Sequence, residues 1–383
     1  MPILLDISCL CDHHTDQALE IVHKAMSEPP DDGIWEQHPS PLVRKLVELF
    51  TQRGLRRIEA IEAQLRRWLA GESHQPGIEL PTRPAGAMQR WTTAELAVAK
   101  TYLEALPPSA FTLDDWMLLA DYLVQRYLPA DDLRTEAEWL STRAALMGRV
   151  QAVAGVLAEE GAEKLLQAMP TNSFWVDREF GMSPLQRAVV DYGSARCVEN
   201  VVSLSDNLRH KLRRLILDHQ EATFLGNKAA ASEALATKLL DTFGTLNRDW
   251  RRIAVTEAGE NLDQGFVASL PPGAKVRRVE KYRGACTFCR SIDGKVMEVV
   301  SADAPEKDGE TQIWPGKTNV GRSASPRRRV GSALFDRAPH ERWWIAAGVQ
   351  HPHCRGSWVH LEEASKPVDP KFSSWMDEVL GRK

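Results

Sequence analysis

Cys286 and Cys289 form a Cys-x-x-Cys pair, and beyond a long spacer His351-Pro352-His353-Cys354 forms a second short knuckle. Thiolate and imidazole are soft or borderline ligands, and two turns of this kind supply the corners of a tetrahedron around one zinc ion. Three thiolates and one imidazole leave no open position for water, so the expected Zn2+ is structural rather than catalytic. A redox dithiol shares the first spacing but has no use for a distant His-x-x-Cys. Catalytic zinc of the nucleobase-deaminase type wants His-x-Glu ahead of Pro-Cys-x-x-Cys; here the order is reversed and no proline precedes Cys286. His351 is the expected fourth ligand, because it stands three residues before Cys354 with Pro352 stiffening the turn; His353 is the alternative. Cys9, Cys11, His13 and His14 make a second cluster. Its one-residue cysteine spacing suits a tetrahedral knuckle poorly, and it reads as chance proximity.

The spacer between the knuckles carries Trp314-Pro315-Gly316-Lys317, then Arg322 and the run Arg327-Arg328-Arg329. Lys317, Arg322, Arg327, Arg328 and Arg329 are the expected partner-binding residues. A basic arm with fixed roots can meet phosphates or an acidic protein face, and the bland alternative is a solvated loop. Without a base-reading motif, phosphate contact would be independent of sequence. Between Lys275 and His360 there are 16 Lys and Arg against 9 Asp and Glu, while the whole chain carries a net charge of -4. A basic C-terminal module is thus joined to an acidic body, which points to an acidic partner for the module.

These residues need a scaffold, and the first 270 positions read as helical. Ser40-Pro41 is a helix start, followed by Leu42, Leu46, Val47 and Phe50 at helical spacing; Gly54 interrupts before Ile58, Ile61, Leu65 and Leu69 resume. Thr92 or Thr93 opens a helix that Pro107-Pro108 ends, and Thr112 with Asp115 forms a capping box for the next. Further helical patterns run from Asp131 or Asp132 to about Leu157, from Ser183-Pro184, near 205–225, over 231–243, and from about Asn247 to Ser269. After Pro271-Pro272-Gly273 the pattern turns to short strands, with Asp293-Gly294 as a hairpin-type turn. The expected fold is mainly α with a small C-terminal α+β module stapled by structural zinc. The expected divisions are an N-terminal helical segment 1–70, a linker 71–90, a helical body 91–245, a zinc-stapled module 246–362 with a basic loop 305–340, and a tail 363–383.

No stretch approaches the roughly 18 uninterrupted apolar residues of a membrane span, and the N-terminus lacks the features of a signal peptide. With cysteines in a metal-type spacing, the expectation is a reduced, cytosolic compartment. Trp343, Trp344 and Trp358 flank the second knuckle and are expected to pack around the metal. Thr256 and Glu257 are expected to be structural, with Glu257 paired to Arg251 or Arg252 on its own helix, or to Arg290.

Three segments in order resemble the phage minor head protein, or head morphogenesis, family: protein F of Mu-like phages and the portal-associated minor head proteins of long-tailed phages. They are Arg252-Ile253-Ala254-Val255-Thr256-Glu257-Ala258, then Cys286-Thr287-Phe288-Cys289-Arg290-Ser291-Ile292-Asp293-Gly294-Lys295-Val296, then His351-Pro352-His353-Cys354-Arg355. The resemblance covers roughly residues 245–360. Val255 stands where the family usually has Arg, and Gly356 and Trp358 stand where many members have a further cysteine. The resemblance implies a minor structural protein of a tailed phage or prophage head, without enzymatic activity. Its implied partners are the portal protein or the major capsid protein, and packaged DNA through the basic loop. It would act in the host cytoplasm during assembly and then reside in the virion head. The rival reading is a nucleic-acid-binding or DNA-processing zinc protein with Glu257 and Asp293 near the working centre. No nucleotide-binding glycine loop or carboxylate cluster accompanies them.

Overall fold

The structure is a computed structural model, which describes residues 38–84, 91–155, 157–226, 228–361 and 370–382. The cluster Cys9, Cys11, His13 and His14 lies outside the described residues. The architecture is mainly α, with a small C-terminal α+β module. No helix among the described residues is long and apolar enough to cross a membrane.

The first helix, α1 (Pro41–Leu69), runs without a break through Gly54. The glycine is a contact rather than an interruption: a Cβ at that position would overlap the Trp250 indole, which stacks on Phe50 with ring centres 5.4 Å apart. Next come α2 (Thr93–Ala105) and α3 (Leu113–Tyr127), both opened by the capping boxes of Thr92 and Thr112. After them stand α4 (Ala130–Ala154), α5 (Glu159–Ala168) and α6 (Ser173–Phe180). The patterns read separately beyond Ser183 merge into two long helices, α7 (Pro184–Phe224) and α8 (Lys228–Val267). The expected boundary at 245/246 therefore falls inside one continuous helix. Helix α8 packs against α4 where Gly148 meets the backbone of Leu262 and Phe266 and Gly265 meets that of Ala145. Only glycine permits so close a backbone approach.

Strands β1 (Lys275–Val279), β2 (Val296–Val299), β3 (Gln312–Ile313) and β6 (Ser357–His360) form one sheet in the order β3-β2-β1-β6. β1 is antiparallel to β2 and β6, and β3 is parallel to β2. Their apolar faces, with Val276, Met297, Val299, Ile313 and Trp358, close over Phe266 and Val267 at the end of α8. Gln151 Nε2 on α4 donates to the Trp358 carbonyl at 2.9 Å, tying sheet to body. A separate ribbon pairs β4 (Arg327–Val330) with β5 (Ala333–Asp336). A short helix, α9 (Thr287–Ile292), lies between β1 and β2. The expected tail contains α10 (Pro370–Leu380), whose Phe372 and Met376 are buried in the body's core.

Candidate metal centre

Both cysteines of the first knuckle are placed by α9. Cys286 is its N-cap, with Sγ accepting from the Cys289 amide at 3.4 Å. The hairpin-type turn expected at Asp293-Gly294 is corrected in part: the cysteine pair first opens a short helix, and Gly294, at φ 80, then turns the chain into β2. Asp293 is the C-cap and Gly294 follows it, so the helix ends after six residues. Gly294 N donates to the Arg278 carbonyl, and Asp293 Oδ1 accepts from the Glu280 amide at 2.9 Å.

The second knuckle is held from below by α8. Glu260 Oε2 accepts from the Val349 amide at 2.7 Å, and Thr256 Oγ1 accepts from the His353 amide at 3.1 Å. Between these anchors the chain reverses at His353, whose φ is 70, and the Cys354 amide returns to the His351 carbonyl at 3.1 Å.

The two knuckles meet. His351 Nε2 lies 3.3 Å from Cys286 Sγ and 3.2 Å from Cys289 Sγ, and Cys289 Sγ lies 3.9 Å from Cys354 Sγ. A tetrahedral ion held by sulfur and imidazole nitrogen has ligand–ligand edges of roughly 3.5–3.8 Å, so Cys286, Cys289 and His351 stand close to the spacing such an ion needs, and Cys354 joins them through Cys289. His351 Nδ1 lies 2.7 Å from the Pro352 carbonyl, which directs its proton there and leaves Nε2 for a metal. The Trp343 ring lies parallel to the imidazole, centres 5.4 Å apart at 12°, and fixes its plane. His353 does not share the cluster.

Cys354 also approaches a residue that sequence reasoning missed. Both Glu280 carboxylate oxygens lie 3.7 Å from its Sγ, so Cys286–Cys289–His351 and Glu280–Cys289–Cys354 form two ligand groups sharing Cys289. Gly356 makes room for that carboxylate, since a Cβ there would overlap it. The signal was strand parity: Val276 points inward, and a two-residue period carries Arg278 and Glu280 to the same side.

Arg278, fully buried, donates to Asp263 at 2.8 Å and to Glu280 at 2.6 Å, and its Nη2 lies 3.4 Å from Cys354 Sγ. Burial pushes the Glu280 carboxyl up to about 7. Burial opposes ionisation of Cys354, yet the hydrogen bond from Cys289 and the Arg278 guanidinium hold its thiol well below the usual range. Cys289 moves the other way, through that same hydrogen bond and through burial. One guanidinium thus faces two carboxylates and the Cys354 thiol, and a divalent cation would add positive charge there. The cluster can hold a metal ion.

The other expected residues divide. Lys317 is a correction: it is buried rather than displayed on the arm. Its Nζ donates to the carbonyls of Gly309 and Gln312 at 2.7 and 2.8 Å and sits 4.8 and 4.9 Å from the ring centres of Trp314 and Trp344. The turn at Gly316, φ 90, folds the chain back so that the lysine stem packs between the indoles. Burial lowers its pKa to about 8. Arg322 is also engaged, lying 3.6 Å over the Trp344 ring and donating to the Arg342 carbonyl. Arg327, Arg328 and Arg329 stand exposed on β4, the first two paired with Asp336 and Glu341. Of the three tryptophans expected around the metal, Trp343 stacks on His351, whereas Trp344 packs against Lys317 and Arg322, and Trp358 is fully buried in the sheet's core with Nε1 donating to the Ala347 carbonyl.

Glu257 pairs with none of the arginines expected. Its carboxylate is clasped by Arg196 of α7, at 3.0 and 3.2 Å from Nε, and by Asn200 at 3.0 Å. Residues 251, 252 and 257 occupy different sides of α8, and Glu257 faces α7. Burial raises its carboxyl above the ordinary range against the pull of Arg196. Glu257 and Asp293 are each held in structural contacts, and among the described residues neither belongs to a metal-type cluster.

Comparison with known proteins finds no match to this chain among family models, curated proteins or solved structures.

Proposed function

We propose that this chain is a minor head assembly protein of a tailed phage or prophage, non-enzymatic, whose C-terminal module is closed by structural zinc. The observation that carries the reading is the convergence of the segments bearing the family resemblance. Thr256 braces the His353 amide, and Cys286, Cys289, His351 and Cys354 gather in one cluster, as two ligand groups that share Cys289. Residues far apart in sequence that resemble the family in order and also meet in space support reading them as one module.

Zinc fits the donor set better than harder cations, because thiolates and imidazole select it over magnesium or calcium. Its binding energy would become folding energy for a module with a small core of its own. Both ends of the 290–350 segment are thereby fixed, and the β4–β5 ribbon is presented on a firm base. The proposed partners are the portal protein or the major capsid protein, met in the host cytoplasm, with residence in the virion head afterwards.

The experiment is mass spectrometry of purified particles together with a portal pull-down. Low-copy, full-length chain in heads, retained on portal, is the expected result; absence from heads and procapsids with no portal binding would reject the reading. A second reading, a zinc protein that binds DNA or other nucleic acid, draws on the three consecutive exposed arginines of β4. It requires salt-dependent DNA binding that is lost when Arg327, Arg328 and Arg329 are neutralised together.

A further inference from the structure

The donors of the two knuckles do not close on a single point. The ligand atoms of Cys286, Cys289 and His351 lie within 4.8 Å of one another, and so do those of Glu280, Cys289 and Cys354. Among the described residues no such group holds both His351 and Cys354. A tetrahedral ion spans ligand–ligand edges of roughly 3.5–3.8 Å, so one ion bound by all four knuckle residues would have to draw His351 and Cys354 about 1 Å or more closer. The second group already has tetrahedral dimensions. Cys289 Sγ stands 3.9 Å from Cys354 Sγ, and both Glu280 oxygens stand 3.7 Å from that sulfur. A carboxylate so placed can bind through both oxygens and complete four donors without water. Arg278 Nε donates to Glu280 Oε1 at 2.6 Å, as an outer partner orients a ligating carboxylate. The three residues of this group are buried, whereas Cys286 and His351 are half-buried, where solvent can complete the shell of the first.

Charge points the same way. Metal-bound cysteines are thiolates, so three sulfurs, Glu280 and Asp263 set five negative charges about the one guanidinium of Arg278. Arg355 and Glu260, which flank the second knuckle, add one charge of each sign. A single divalent cation leaves two of the negative charges uncompensated in a buried site, where that is costly; a second cation compensates them. Asp263 Oδ1, fully buried, has no hydrogen-bond partner among the described residues, so that carboxylate is half satisfied by Arg278 alone.

We propose that the module holds two zinc ions that share the Cys289 thiolate, one on Cys286, Cys289 and His351 and the other on Cys289, Cys354 and Glu280. A thiolate bound to one ion keeps lone pairs for a second, and a donor set rich in thiolate selects zinc over harder cations. The first ion ties α9 to the second knuckle. The second ties both to Glu280, just past the end of β1, and so to the sheet. The inference rests on the zinc reading above and not on the phage-head one.

The test compares native with denaturing mass spectrometry of the full-length protein, kept reduced, loaded with Zn2+ and dialysed. Two ions per chain are expected. Glu280→Gln keeps the side chain's size and its bond from Arg278 but replaces a carboxylate by a poor zinc ligand, and should carry one. Cys9→Ser with Cys11→Ser should still carry two, which assigns both ions to the module. Loaded with cadmium-113 instead, the wild-type protein should give two cadmium resonances split by coupling through the shared sulfur, a readout that needs no variant to fold. One zinc ion in the wild type would overturn the proposal and leave the single structural zinc standing. So would a single or uncoupled cadmium signal, two ions in Glu280→Gln, or one in the double serine variant. No bound ion at all would overturn the zinc reading as well.

Discussion

Arg278 Nη1 on β1 donates to Asp263 Oδ2 on α8 at 2.8 Å, and neither side chain reaches water. The same guanidinium holds Glu280 and approaches Cys354, so one buried cation joins the long helix, the sheet and a candidate metal ligand. Removing it leaves carboxylates and a thiolate uncompensated where desolvation is most costly. Arg278→Met is expected to lower the unfolding free energy by about 3–5 kcal/mol and to reduce bound metal. Urea unfolding alongside metal analysis checks both, and an unchanged midpoint would remove Arg278 from its role in balancing the cluster's charge.

The two histidines of the second knuckle separate cleanly. His351 Nε2 faces two cysteine sulfurs, whereas His353 serves through its backbone, at a φ of 70 and an amide bonded to Thr256. His351→Ala is expected to weaken metal binding by more than about 100-fold, beyond what loss of a supporting hydrogen bond does. His353→Asn, which tolerates the left-handed backbone, should bind nearly as wild type. Competition against a chromophoric chelator reads both, and the reverse order would make His353 the ligand.

Metal removal should loosen the module and spare the body. Ala285, Cys289, Val349 and Cys354 form only a small apolar cluster around the centre, while α1, α4, α7 and α8 share a large core. Chelation is therefore expected to abolish hydrogen-exchange protection over residues 285–292 and 349–356 while α4 and α7 keep theirs. Uniform protection before and after chelation would show that the knuckles stand without a metal.

The helical character and the capped starts at Thr92, Thr112 and Ser183 were legible because each rests on local spacing, and the meeting of the two distant knuckles was legible because each half is by itself an incomplete ligand set. What was not legible depends on partners distant in sequence. Gly54 reads as a helix breaker until Trp250 is seen against it. Glu257 offers several arginines on its own helix, and only the packing of α7 on α8 selects Arg196. Lys317 looks like part of a basic run, yet the indoles of Trp314 and Trp344 take it out of solvent. Glu280 lies beyond any cysteine spacing and is brought to Cys354 by strand parity and by Gly356.

The buried Lys317 gives a pH dependence of definite sign. Its pKa falls from 10.5 to about 8, chiefly through burial, so the folded state holds this proton more weakly than the unfolded chain does. Below pH 8 both states are protonated and the penalty for burying the charge stands in full. Between about pH 8 and 10.5 the unfolded chain binds more protons, and stability from this group rises with pH. At about 1.36 kcal/mol per pKa unit the rise is roughly 3 kcal/mol. Lys317→Met keeps an apolar stem between the indoles but cannot titrate. The unfolding free energy of wild type minus that of the variant should therefore increase across this window in denaturant titrations. A difference independent of pH would mean that the Gly309 and Gln312 carbonyls and the two indoles fully offset the cost of burying the ammonium.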